Sequence, residues 1–165
     1  MNGKPKIVLV DDERDFLTLV KSWLAPHYQV FAFSNALGAA ESIGALGPDL
    51  VVLDVHMPTG SGFDLCRWLR STPEYAETPV VFLTGARAEA DFARHVRAGG
   101  SRFLTKPISR QDFLDAVAEE LSLREERPGT PRRTRPTSWA RLRRRSASHP
   151  HSGAGARPSQ EASRH

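Results

Sequence analysis

The stretch Pro48-Asp49-Leu50-Val51-Val52-Leu53-Asp54-Val55-His56-Met57-Pro58 decides the fold, because four apolar residues in a row deliver a single carboxylate, Asp54, into a turn closed by Pro58 and Gly60. An apolar run with no polar alternation reads as a strand buried on both faces, the pattern of a parallel sheet covered by helices on each side. Asp54 stands at the carboxyl end of that strand. Ligand chemistry in open parallel sheets collects along this edge, which makes the acid a functional candidate. Asp is also favoured wherever a chain turns, so this stretch alone leaves both a capping role and a chemical one open.

On the amino-terminal side, Lys6-Ile7-Val8-Leu9-Val10 is a second strand of the same kind, and it too ends in acids, Asp11-Asp12-Glu13. Phe16, Leu17, Leu19, Val20, Trp23 and Leu24 then recur at helical spacing until Pro26. Tyr28 to Phe33 makes a short strand, and Ser34 and Asn35 can cap a helix that runs through Leu46 to Gly47-Pro48. Beyond Asp54, the Thr59-Gly60-Ser61-Gly62 loop leads to a helix over Phe63 to Leu69 that breaks near Pro73. A fourth strand spans Thr78 to Thr84, a helix Ala88 to Arg97, and a fifth strand Ser101 to Thr105. Lys106-Pro107 follows, and Ser109 caps a last helix ending near Leu123. Five strands alternating with five helices predict an α/β fold, a doubly wound parallel sheet built from right-handed crossovers. Asp11, Asp12, Asp54, Thr84 and Lys106 then converge on one sheet edge although nearly 100 positions separate them.

The chain of 165 residues accommodates one domain and a tail. Its net charge of +4 averages two unlike parts. Residues 1–123 hold 12 Lys and Arg against 16 Asp and Glu, a net −4, whereas residues 124–165 hold 11 Arg against 3 Glu, a net +8. The lone cysteine, Cys66, lies in the amphipathic Phe63–Leu69 pattern and is expected to be a buried thiol in a reducing compartment. No apolar run near Met1 is long enough for a signal-peptide core or a membrane span, so the expectation is a cytoplasmic chain with no membrane partner.

Three carboxylates in one cleft repel one another unless a cation is shared. Carboxylate oxygens without a His or Cys cluster favour Mg²⁺ as the cofactor, an ion that keeps waters and completes its shell with phosphate oxygens. Thr84 offers a hydroxyl and Lys106 a point charge, both suited to the equatorial oxygens of a transferring phosphoryl group. Asp54 is then the candidate nucleophile, since carboxylates form aspartyl-phosphate intermediates.

The ordered set resembles the receiver domain of two-component response regulators. It comprises Asp11-Asp12, then Asp54 followed by Met57-Pro58 and Gly60-Ser61-Gly62, then Thr84, then Lys106-Pro107. The resemblance covers residues 4–123 and implies a flavodoxin-like sheet in the order 2-1-3-4-5. It implies that Asp54 accepts a phosphoryl group from a sensor histidine kinase or a histidine phosphotransfer protein. Mg²⁺ would be held directly by Asp12, Asp54 and the backbone carbonyl of His56, with Asp11 acting through water. Thr84 would move toward the phosphoryl group, Lys106 would bind it, and Phe103 would report the change by rotating between exposed and inward positions. A downstream protein would dock on the face formed by the fourth helix, fifth strand and fifth helix. The resemblance makes the chain a phosphoacceptor signalling domain and not a metabolic enzyme.

Some positions depart from that pattern. Ala86, two residues after Thr84, has no side chain to orient water, and Phe103 lacks the hydroxyl of a tyrosine switch. The ring of His56 is expected to be solvated, its role confined to the carbonyl, and Pro107 suits a structural cis turn. A phosphatase of the aspartyl-phosphate type uses similar groups, but it resembles a nucleophile on the first strand with a second Asp two residues on, whereas Asp11 and Asp12 are adjacent. A flavin-binding flavodoxin-like domain would need Gly, Ser or Thr where the first strand opens into acids.

Residues 124–165 form an Arg/Pro/Ser-rich tail without the hydrophobic periodicity to bury a core, and are expected to be disordered. Arg132, Arg133, Arg135 and Arg141 to Arg145 flank Trp139, a composition that can contact nucleic acid phosphates and stack on a base. A solvated extension with no specific partner is the favoured expectation.

Overall fold

Each of the five long strands carries an apolar stretch with side chains for both sheet faces, and the computed structural model assembles them into one parallel sheet. Residues 3–85 and 88–126 are described. The readings made for Ala86 and for the tail, including Trp139 and its flanking arginines, lie outside them. The elements are β1 (Lys6–Val10), α1 (Arg14–Leu24), β2 (Gln29–Phe33), α2 (Ala36–Leu46), β3 (Leu50–Asp54), β4 (His56–Met57), β5 (Gly60–Ser61), α3 (Gly62–Ser71), β6 (Val80–Thr84), α4 (Ala88–Ala98), β7 (Arg102–Thr105) and α5 (Arg110–Glu125). The sheet order is β2-β1-β3-β6-β7, which is 2-1-3-4-5 over the long strands. All its pairings are parallel, with Val8 beside both Phe31 and Val51, and Leu83 beside both Asp54 and Leu104.

Alternate residues of each strand feed two cores. Val8, Val10, Val51, Leu53, Val80 and Phe82 pack under α2 and α3 with Ile43, Phe63, Cys66 and Leu69. Ile7, Leu9, Leu50, Val52, Val81 and Leu83 pack under α1 and α5 with Leu17, Val20, Leu24, Phe113 and Val117. Burying each such side chain contributes on the order of 1.5–3 kcal/mol, which is why β1, β3 and β6 sit rigidly at the sheet centre. The caps follow the chain chemistry: Asn35, Ser61 and Ser109 each accept from a backbone N–H of the first helical turn.

Two local features differ from the sequence reading. Thr59 to Gly62 is not simply a loop, since His56–Met57 pairs antiparallel with Gly60–Ser61, and Gly60 turns the chain at φ 121°. The last helix continues past Leu123 to Glu125, and Arg124 Nη1 donates to the Asp49 carbonyl at 2.6 Å and to its Oδ1 at 3.2 Å. No described helix is long and apolar enough to cross a membrane.

Candidate functional site

The parallel topology brings the ends of β1, β3, β6 and β7 to one edge, and with them Asp11, Asp54, Thr84 and, just past β7, Lys106. Asp54 is the last residue of the central strand β3 and is almost wholly buried. Its backbone is crowded by the start of α3: a Cβ at Gly62 would overlap the Asp54 carbonyl and lie 3.4 Å from Leu53 Cβ. Only glycine lets α3 begin so close to the acid.

Asp11, Asp12 and Asp54 each place a carboxylate oxygen within 4.8 Å of the others, the one such acidic group among the described residues. Asp11 is buried and already engaged at both oxygens. Its Oδ1 accepts from the Glu13 N–H at 2.9 Å and its Oδ2 from Lys106 Nζ at 2.7 Å. Asp12 is exposed. Lys106 Nζ also lies 3.3 Å from Glu13 Oε1 and 3.8 Å from Asp54 Oδ1, and it sits 4.2 Å above the Phe16 ring. That ring gives the ammonium a cation–π contact and fixes the lysine stem.

The electrostatics match this crowding. Burial first, then the charge of Asp11, pushes the Asp54 carboxyl up to about 7; Lys106 opposes the rise and Asp12 adds to it. Burial also raises Asp11, against the Lys106 ammonium that bonds it. For Lys106 the order of effects is reversed in sign: burial lowers it, yet the bond to Asp11 and the charges of Asp11 and Asp54 leave it raised. Lys106 is therefore a firmly charged cation, and the three acids together bear more negative charge than one ammonium balances. Such a cluster can hold a divalent cation on hard oxygen ligands.

Thr84 is fully buried, and its hydroxyl donates to Asp91 Oδ2 at 3.0 Å. The same oxygen lies 2.5 Å from His56 Nε2. The expectation of a solvated His56 ring is thereby corrected: the ring is 45% exposed but tied to a carboxylate on α4. Phe103 is half-buried, its ring 5.2 Å from His95 and 5.9 Å from Phe92. The Lys106–Pro107 bond is cis.

Sequence reasoning missed Phe16, Glu13 and Asp91. The helical spacing of Phe16 marks it as part of an apolar stripe, and in the structure it is packed against the core and also lies under Lys106. Asp91 is seven residues after Thr84 and lies on the buried stripe Asp91, His95, Ala98 of α4, a stripe that the apolar residues Phe92 and Val96 do not announce in the sequence.

Comparison with known proteins agrees with this geometry. The family model described as the response regulator receiver domain matches residues 7–118. Transcriptional regulatory protein GltR of Pseudomonas aeruginosa is 33% identical over 117 residues, covering 70% of this chain and 48% of that protein. The chain spans about half the length of several such curated relatives. Among solved structures, the signal receiver domain of a signal transduction histidine kinase from Syntrophus aciditrophicus has a TM-score of 0.69 at 29% identity, covering 79% of this chain and 98% of that one. A BeF3-activated DrrB receiver domain has a TM-score of 0.67 at 28% identity, covering 73% and 99% respectively.

Proposed function

The chain belongs to the response regulator receiver domain family, and from that premise we propose that it is a phosphorylation-controlled signalling module whose Asp54 accepts a phosphoryl group from the phosphohistidine of a sensor histidine kinase or histidine phosphotransfer protein. The observation that carries the reading is the grouping of Asp11, Asp12 and Asp54 within 4.8 Å at the carboxyl edge, with the Lys106 ammonium 3.8 Å from Asp54.

An Asp54 oxygen attacks the phosphorus of the donor; a P–O bond forms as the donor's P–N bond breaks, and the electron pair returns to the imidazole. Lys106 meets the negative charge spread over the phosphoryl oxygens, and the Thr84 hydroxyl donates to one of them. A Mg²⁺ ion held by Asp12, Asp54 and the backbone carbonyl of His56 would supply the charge that keeps Asp54 anionic near neutral pH and offsets the incoming phosphoryl group. Because both oxygens of Asp11 already accept hydrogen bonds, an indirect role through water fits it better than direct ligation.

The output face is α4, β7 and α5. On α4, Phe92 is 56% and Val96 61% exposed, apolar surface beside the half-buried Phe103 and suited to a protein partner. Phe103, lacking a hydroxyl, signals there by its packing. The reaction is placed in the cytoplasm, a reducing compartment that suits Cys66, whose buried thiol is 3.1 Å from the Ala98 carbonyl.

Incubation with acetyl phosphate and Mg²⁺ is expected to add one phosphoryl group by intact mass, and Asp54→Asn or a chelator is expected to abolish it. A mutant that still took label would remove Asp54 from the role.

A further inference from the structure

Thr84 carries one hydroxyl proton, and two acceptors have a claim on it. In the structure the proton goes to Asp91 Oδ2 at 3.0 Å. On the phosphoacceptor reading, which this inference rests on, a phosphoryl oxygen on Asp54 needs that same proton, and a hydroxyl cannot donate to both. Asp91 is no ordinary surface acid. It is 2% exposed, and the oxygen that takes the Thr84 proton is also bound by His56 Nε2 at 2.5 Å, while Arg94 Nη1 stands 3.9 Å from the other oxygen. One carboxylate thus ties together the end of β6, the segment just after Asp54, and the first turns of α4.

Among the described side chains of α4, this is the hydrogen-bonded tie to the strand ends, while His95 adds ring contacts with Phe82 and Phe103. The buried stripe of its described side chains is Asp91, His95 and Ala98, whereas its large apolar residues Phe92 and Val96 face outward. Asp91 thus contributes to the placement of α4 by hydrogen bonding, where His95 and Ala98 contribute by packing.

We propose that Asp91 is a positioning residue that competes with the phosphoryl group for the Thr84 hydroxyl, and so holds α4 in its resting placement until Asp54 is phosphorylated. Transfer of the hydroxyl to the phosphoryl oxygen breaks the Thr84–Asp91 bond. It leaves the buried carboxylate with His56 and Arg94, and α4 loses its hydrogen bond to the end of β6.

The test measures initial rates of acetyl-phosphate labelling in the full chain, with hydrogen exchange over α4 in the unphosphorylated protein. Asp91→Ala removes the competing acceptor, so labelling is expected to speed up about tenfold, the order set by one hydrogen bond to a charged group. Exchange over α4 should rise as well. Asp91→Leu, which keeps the space filled, should do the same. Asp91→Asn retains an acceptor and should stay near the wild-type rate, a rescue that a merely space-filling role does not predict. In a Thr84→Ala background the acceleration should vanish. Asp91→Ala and Asp91→Leu proteins that label no faster than wild type overturn the proposal while leaving Asp54 as phosphoacceptor, and so does an acceleration that survives in Thr84→Ala. Wild-type protein that takes no label overturns the phosphoacceptor reading itself and this inference with it.

Discussion

Asp54 is fixed where its own charge is resisted, and this gives the residue a measurable signature. Burial and the charge of Asp11 raise its carboxyl from 3.8 to about 7, with Lys106 opposing. A carboxyl with a higher pKa folded than unfolded binds more protons in the native state at intermediate pH. Its contribution to stability is therefore present below 3.8 and lost as pH rises toward 7. In chelator at pH 8, Asp54→Asn is expected to be more stable than wild type by about 2–3 kcal/mol, and the gap should close as the pH falls toward 4. Urea midpoints across that range check it, and added Mg²⁺ should narrow the gap by relieving the same repulsion. A gap independent of pH would mean that the amide stabilises by packing alone. Asp11, Asp12, Asp54, Thr84 and Lys106 were legible as a set because strand ends of a parallel sheet converge wherever they fall in sequence. The contacts of Lys106 with Phe16 and of Thr84 with Asp91 were not, since each depends on the rotation of a helix about its own axis.

The central strands β1, β3 and β6 could be read from apolar runs because both of their faces are covered, and the observed ends of all five long strands fall within two residues of expectation. The β4–β5 hairpin could not, since two paired residues a side carry no period. The harder case is α4, whose sequence offers Phe92 and Val96 as the apolar pair that a core normally takes, while the structure turns Asp91 and His95 inward. His95 is enclosed by Phe82, Phe92 and Phe103 at 5.5, 5.8 and 5.2 Å, and its Nδ1 has no hydrogen-bond partner among the described residues. Burial holds this imidazole below its usual 6.5. A histidine depressed in the folded state binds more protons when unfolded, so its contribution to stability is present above 6.5 and lost as pH falls below it. His95→Leu is accordingly expected to lose less stability than wild type between pH 7 and pH 5, read as the change in urea midpoint. Equal losses would show that the ring is no obstacle to acid. The same enclosure links the inner face of α4 to Phe103, so loosening α4 and moving Phe103 are one structural event.

At the scale of the whole molecule, the two cores draw their members from residues 7–121, and every strand of the sheet is in place before α5 begins. The far end of α5 nevertheless belongs to the fold. Arg124 binds the Asp49 carbonyl and carboxylate, and Asp49 Oδ2 accepts from the Lys6 N–H at 2.8 Å, so a single acid clamps the start of β1 and the last turn of α5 ahead of β3. The charge division near residue 124 therefore does not coincide with the structural one. Removing residues 127–165 takes away ten arginines but touches none of these bonds, and the shortened chain should match the full chain in urea midpoint and in acetyl-phosphate labelling of Asp54. Removing residues 124–165 also deletes Arg124, and should lower stability by about 1–2 kcal/mol, the scale of hydrogen bonds that involve a charged group. Comparing the two truncations separates the clamp from the basic segment. A chain ending at Glu126 that failed to fold or to take label would show that residues 127–165 contribute to the domain, and equal midpoints for the two truncations would show that the Arg124–Asp49 contact contributes nothing measurable.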